Sequence, residues 1–301
     1  MTSEKTASSP ARIPNTVYGQ LGILVLIWAA NWPLTKGVLP DMSPVAFTTV
    51  RFIGSAVLMA LLAIPMRRPL LPVAGERVKL ALIGIVQIAG MLGCGTFGLQ
   101  FVGPGRTAVL IYTMQLWALL LGWVIARDPI KSKGLLGALI GFAGIVLFLN
   151  PRLVNWHDHR VLLGNGFALW AGINWAIGAC FYRRYTWRSP FWTQVFWQIL
   201  WSAVAMTVAM FCFHQPTATL WTWRLIGVLS YNWFLGTALC YWWWSEALVV
   251  LPASRAGQIV SLVPVVAVLM STVWSGEQVP AAAVVSIVLI AVGIWVTMRA
   301  K

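Results

Sequence analysis

Nine side chains stand out because their surroundings do not match them. Asn31, Gln87, Tyr112, Gln115, Asn174, Tyr231, Asn232, Gln258 and Ser261 are uncharged polar residues set inside long apolar runs. Amides and hydroxyls both donate and accept hydrogen bonds, so such a set suits reversible binding of a polar ligand. Bond-making chemistry has little to work with. Glu4, Asp41, Glu76, Asp128 and Asp158 lie in polar stretches, Glu277 closes an apolar run, and Glu246 sits in the last turns of another. The histidines (His157, His159, His214) all fall between apolar runs. There is no His-Glu-x-x-His pair, no Gly-x-Ser-x-Gly elbow and no Walker lysine loop. Cys94, Cys180, Cys212 and Cys240 lie in apolar runs without the spacing of a disulfide or zinc site, and are expected to be packing residues. No catalytic residue, metal site or cofactor is therefore expected.

The aromatic residues extend the binding reading. Among the 19 tryptophans, Trp28, Trp32, Trp187, Trp192, Trp221, Trp223 and Trp274 lie near the ends of apolar runs and suit a membrane-interface belt. Trp175 and Trp233 lie deeper, beside Asn174 and Asn232, where their faces could stack on an aromatic ligand. Trp242, Trp243 and Trp244 are consecutive, so on a helix they point 100° apart and at most one or two can face a cavity. Arg51 is the one cation well inside an apolar run, about seven residues or roughly 10 Å from its start. It could hold a carboxylate, or lock two helices by pairing with carbonyls at a helix end. The second role is expected, because a permanent deep cation holds an anion too tightly for turnover.

These side chains must be carried by membrane helices. Hydrophobic residues make up 59% of the chain and charged residues 9%, against roughly 25% charged in soluble domains. Lipid is the natural solvent for such a surface. The net charge of +14 does not indicate nucleic acid, because the cations form short clusters between apolar runs instead of lining one face. About 20 mostly apolar residues cross a bilayer. The sequence predicts spans at 18–38, 44–65, 79–102, 104–126, 134–150, 164–184, 190–213, 221–248, 252–275 and 281–298. Pro264 should kink the ninth, and the Gly137–Gly141 spacing should bring the fifth close to a neighbour. With this count one set of loops and tails holds Lys5, Arg12, Arg67, Arg68, Arg77, Lys79, Arg127, Lys131, Lys133, Arg183, Arg184, Arg188, Arg255, Arg299 and Lys301. The other holds Lys36, Arg106, Arg152, Arg160 and Arg224. The positive-inside rule then puts both termini in the cytoplasm.

Internal similarity divides the chain in two. Trp28-Ala29-Ala30-Asn31-Trp32 resembles Trp170-Ala171-Gly172-Ile173-Asn174-Trp175, and Leu82-Ile83-Gly84 matches Leu225-Ile226-Gly227. Ser43-Pro44 opens the second span and Ser189-Pro190 the seventh. The organisation predicted is a tail at 1–17, a five-helix repeat at 18–150, a connector at 151–163, a second repeat at 164–298 and a short end at 299–301. Five is odd, so the repeats enter the membrane from opposite sides, an arrangement typical of transporters with a midplane site. The fold class expected is thus an all-α membrane protein of ten transmembrane helices in two inverted repeats.

Ten helices, the Trp-Ala-Ala-Asn-Trp run, the Arg51-Phe52 pair and a fourth helix opening at Pro104 and ending near Asp128, repeated from Pro252 to Glu277, resemble the drug/metabolite transporter superfamily and its EamA-type half-domains. The tryptophan richness is most similar to the bacterial aromatic amino acid exporters. The resemblance implies a multi-pass inner-membrane carrier acting as a monomer on amino acids or related metabolites. It also implies a second helix peripheral to the cavity, which agrees with a structural Arg51. A broad drug or metabolite exporter is the alternative; a membrane enzyme or a channel lacks the residues it would need. The topology is checked by reporter fusions at Lys301, which should be active only on the cytoplasmic side; alkaline phosphatase activity there would break the ten-span count.

Overall fold

A computed structural model describes residues 15–126, 131–149, 157–213, 219–251 and 253–299. The tail 1–14, Asp128, residues 151–156 of the connector, His214, Pro252 and the side chain of Gln258 lie outside the described residues. In an apolar surrounding the backbone must satisfy its own hydrogen bonds, and a helix does so locally. Among the described residues every regular element is helical. In chain order these are α1 (Asn15–Val38), α2 (Pro44–Ala63), α3 (Arg77–Ile83, Gly84–Ala89 and Gly90–Leu99 end to end), α4 (Pro104–Tyr112 and Met114–Ala126) and α5 (Ser132–Phe148). They continue with α6 (His159–Arg183), α7 (Phe191–Cys212), α8 (Trp223–Tyr231, Asn232–Leu239 and Cys240–Val250), α9 (Ala253–Val260 and Val263–Ser275) and α10 (Ala281–Arg299). Local chemistry sets their ends. Pro44 and Pro104 occupy first turns, where no N–H is needed. Asp158 and Thr222 accept the N–H groups of Arg160 and Leu225 at 2.8 and 3.1 Å, and α9 stops at Gly276 in the left-handed region.

Among the described residues six helices are individually long and apolar enough to cross a membrane: Thr16–Val38, Pro44–Ala63, Ala74–Leu99, Pro104–Val124, His159–Arg183 and Phe191–Cys212. Ser132–Phe148, Val263–Ser275 and Ala281–Thr297 are shorter apolar helices. The span predicted at 221–248 is cut by an irregular segment, and that at 252–275 by a break. Apolar residues dominate the outer surface; Val146 and Val273 are 73% and 89% exposed. Such a surface suits lipid.

The irregularities come in pairs. α3 passes through a π-helical segment at Gly84–Ala89, and α8 through another at Asn232–Leu239. α4 breaks at Thr113, and α9 at Ser261 and Leu262. The kink expected at Pro264 is a full interruption. Proline cannot supply the N–H that would bond Val260, and Leu262 N–H turns to Ile259 O at 3.1 Å. The break in α4 was not foreseen. Thr113 Oγ1 donates to Leu110 O at 2.6 Å and accepts the Trp117 indole N–H at 3.1 Å, so a hydroxyl competes with the helical backbone.

Helix packing has a matching pattern. α1 packs on α8 and α9, as α6 packs on α3 and α4, while α2 meets α7, α4 meets α9, and α5 runs along α10. The α5–α10 contact is a glycine seam. A Cβ on Gly137 would lie 2.5 Å from Thr297 Oγ1, and one on Gly293 would overlap the Gly141 backbone. Gly293→Leu should therefore cost at least 1–3 kcal/mol of overpacking, read as a lowered unfolding temperature in detergent. Gly22→Ala, whose added Cβ meets nothing within 4 Å, should leave it unchanged.

Candidate functional site

All four irregular points border one cavity of about 270 Å³. Ile88 comes from the π segment of α3, and Gly236 and Thr237 from that of α8; Tyr112 and Met114 flank the break in α4, and Gly257 and Val260 precede the break in α9. Trp28, Asn31 and Trp32 of α1, Arg51 and Phe52 of α2 and Trp175 of α6 complete the wall, with Tyr241 and Trp244 further along α8. A cavity at the small end of the usual 300–1,000 Å³ range takes one small organic molecule. The π segments free backbone oxygens for side chains: Trp28 Nε1–H donates to Gly236 O at 3.0 Å, and Ser202 Oγ–H to Gly84 O at 2.9 Å.

The lining is aromatic with few polar groups. Trp28 meets Tyr241 edge-on at 6.1 Å and lies tilted to Trp244 at 6.4 Å, geometries aromatic rings favour. Asn31 Oδ1 accepts from Thr35 Oγ1–H and from Arg51 Nη1–H, each at 3.4 Å. Arg51 Nε and Gln115 Oε1 are buried without a hydrogen-bond partner. Among the described residues no aspartate or glutamate lines the cavity. A buried guanidinium without a counter-charge costs several kcal/mol. Arg51 links α2 to Asn31 of α1, and it also lines the cavity, so α2 is not peripheral to it.

Four of the predicted site residues, Asn31, Tyr112, Gln115 and Trp175, line the cavity. Six others are elsewhere. Gln87 packs against Gly178 where α3 meets α6. Asn174 lies over Gly90 and donates to Trp170 O of its own helix at 3.0 Å, so it does not face Asn31 across the cavity. Asn31 has Arg51 as its neighbour, whereas the position matching Arg51 in the second half, by the Ser-Pro starts, is Trp197. Tyr231 donates its hydroxyl to Ile27 O at 2.6 Å, holding α8 on α1. Trp233 Nε1–H reaches Val50 O at 3.3 Å with its ring against Gly54, holding α8 on α2. Asn232 is fully buried and donates to Val228 O at 2.8 Å. Ser261 forms the break of α9, its N–H on Gly257 O at 3.0 Å. Gln258 is among the residues whose side chains are not described. Sequence reasoning missed Trp28 and Trp32, assigned to the belt, and Thr237 and Tyr241; of the three consecutive tryptophans, Trp244 lines the cavity. Trp28 and Trp32 stand four apart around Asn31, hence on one helical face, and that spacing was the available signal.

One end of the helix set is tied shut, where α1, α3 and α9 finish and α4 and α6 begin. Lys36 Nζ donates to Leu99, Gln100 and Val102 carbonyls at 2.6, 3.0 and 3.2 Å. Glu277 accepts the Gly105 and Arg106 N–H groups at 2.8 and 3.2 Å and the Ser271 hydroxyl, so it caps α4. Arg106 donates from Nε to Asn165 Oδ1 at 2.8 Å and from Nη2 to Phe148 O at 2.9 Å. The cavity extends the other way, towards Ala118, Ala179, Trp244 and Gly257.

Comparison with known proteins places this geometry. The model of the EamA-like transporter family matches residues 19–150 and 162–299. The chain is 27% identical over 279 residues to the uncharacterized transporter YoaV of Bacillus subtilis, covering 91% of this chain and 94% of that one. It is 24% identical over 289 residues to a "Probable amino-acid metabolite efflux pump" of Salmonella typhimurium, covering 92% of each. A crystal structure shares the fold at TM-score 0.65 and 16% identity, over 94% of this chain and 97% of that one.

Glu277→Ala removes the cap from α4 and should cost about 0.5–2 kcal/mol. In a background lacking the native cysteines, a cysteine at Val102, which is 7% exposed, should then react severalfold faster with a membrane-impermeant thiol reagent. Unchanged labelling would mean that the closure rests on other contacts.

Proposed function

The chain belongs to the EamA-like transporter family, and from that premise we propose that it exports amino acids and related metabolites, aromatic ones favoured, across the bacterial inner membrane by alternating access. Its family makes it a multi-pass membrane transporter of small molecules and not an enzyme. The observation that carries the reading is the convergence of paired helix interruptions, α3 with α8 and α4 with α9, on one aromatic cavity. Interrupted helices in corresponding positions of two halves are where transporters bind their cargo.

In this reading ten helices form two five-helix halves of opposite orientation, and the reciprocal packing of α1 and α6 supports it. Exchanging the halves' arrangements closes the end near Trp244 and opens the end tied by Lys36 and Glu277. The loop cations put the termini, and the end towards which the cavity extends, in the cytoplasm. The protein works as a monomer, because the cavity is complete within one chain. The amino-acid efflux name of the Salmonella relative and the ring-lined wall support an aromatic cargo. Broad drug or metabolite export is the second reading, favoured by Met91 and Met114 in the wall, since methionine adapts to varied shapes.

Coupling to a membrane-buried carboxylate is not part of the mechanism. Glu246 lies on an exposed face, accepting from Gln20 Nε2 at 3.3 Å and Trp242 Nε1 at 2.9 Å, away from the cavity lining. Counterflow of labelled aromatic amino acids in proteoliposomes tests the whole. Tyr112→Ala and Trp244→Ala should each weaken apparent affinity roughly two- to tenfold, the worth of one ring contact. Gln87→Ala and Asn174→Ala should stay near wild type. Glu246→Gln should still transport without an imposed proton gradient; loss of flux in that folded variant would refute the uncoupled mechanism.

A further inference from the structure

Among the described residues Arg51 is the one charged side chain in the cavity wall. It is 7% exposed, its Nε has no hydrogen-bond partner, and Nη1 makes a long 3.4 Å bond to Asn31 Oδ1. Among the described residues no acidic side chain lines the cavity to neutralise it. A guanidinium is a planar fork that matches a carboxylate by two parallel N–H bonds. We propose that Arg51 anchors a carboxylate of the cargo, and that the cavity selects small aromatic monocarboxylates by that group, with no requirement for an ammonium. This rests on the transport reading above and narrows it.

The polar groups around Arg51 fit this role. Asn31, held by Thr35, gives the guanidinium an acceptor to return to when the site empties. Gln115 Oε1, buried without a partner, can accept one N–H or O–H from the ligand. It is neutral, so nothing in the wall offsets a buried positive charge on the ligand. Trp28, Tyr112 and Trp244 supply faces and edges for the ring. An amino acid therefore enters by its carboxylate and ring, and its deaminated analogue fits as well or better.

The test uses the full-length protein in nanodiscs of zwitterionic lipid, titrated with 3-phenylpropanoate, 3-phenylpropanamide, L-phenylalanine and phenethylamine. Binding is followed by tryptophan fluorescence and by thermal shift. The acid should bind at least as tightly as L-phenylalanine, and the amide and the amine at least tenfold more weakly. Arg51→Gln should bring acid and amide within twofold of each other, and Arg51→Lys should keep part of the preference. Equal binding of acid and amide by the wild type, tightest binding of the amine, or full preference retained in Arg51→Gln would each overturn the proposal. The wild-type series decides by itself should Arg51→Gln fail to fold. If all four bind alike, the aromatic-cargo reading stands and this one falls; if none binds to folded protein, both fall.

Discussion

Backbone hydrogen bonding in a surrounding without water governs this molecule. A spanning segment in lipid must be helical, because each unsatisfied N–H or C=O costs several kcal/mol. Departures from the α-helix are therefore confined to places where protein groups take over the freed bonds. The π segments of α3 and α8 meet this condition: Ser202 bonds Gly84 O, and Trp28 bonds Gly236 O. In α4 the hydroxyl of Thr113 takes the carbonyl of Leu110. All these places border the cavity. The same constraint that forbids irregular backbone against lipid gathers it around the cavity.

Two kinds of contact hold the helices in that arrangement. Small residues bring helices together where apolar attraction between them is weak in lipid, as along the glycine seam of α5 and α10. Polar side chains tie helix ends, and they join one half to the other. Glu76, before α3, accepts the Arg188 and Ser189 N–H groups at 2.6 and 3.1 Å at the start of α7. Asp41, before α2, accepts the Thr222 hydroxyl at 2.8 Å at the start of α8. The Lys36 and Glu277 contacts likewise join helix ends, of α1 to α3 and of α9 to α4.

The cavity joins a large aromatic area to one uncompensated charge. Aromatic rings supply contact that depends weakly on orientation, whereas a guanidinium supplies direction. Asn31 connects the two, since it shares α1 with Trp28 and Trp32 and bonds Arg51 on α2.

Much of the architecture was legible in the sequence. The apolar runs, their proline and glycine punctuation and the clustered cations led to membrane helices in two similar halves, because these features act locally: a span's length and polarity suffice to make it a helix in lipid. Asn31, Tyr112, Gln115 and Trp175 were likewise readable as polar or aromatic groups at depth. Which face each residue shows was not, because helix rotation is set by neighbours far along the chain. Asn174 sits at the position that repeats Asn31, yet it lies over Gly90. Trp28 reads as an interfacial residue from its place near a span end, yet α8 draws it inward through Gly236 O. Arg51 reads as a lock from a helix expected to be peripheral, and only the packing of α1, α2 and α8 turns it to the cavity. Sequence by itself determined which segments cross an apolar medium; tertiary structure decided what lines the space between them, because that depends on contacts no local pattern encodes.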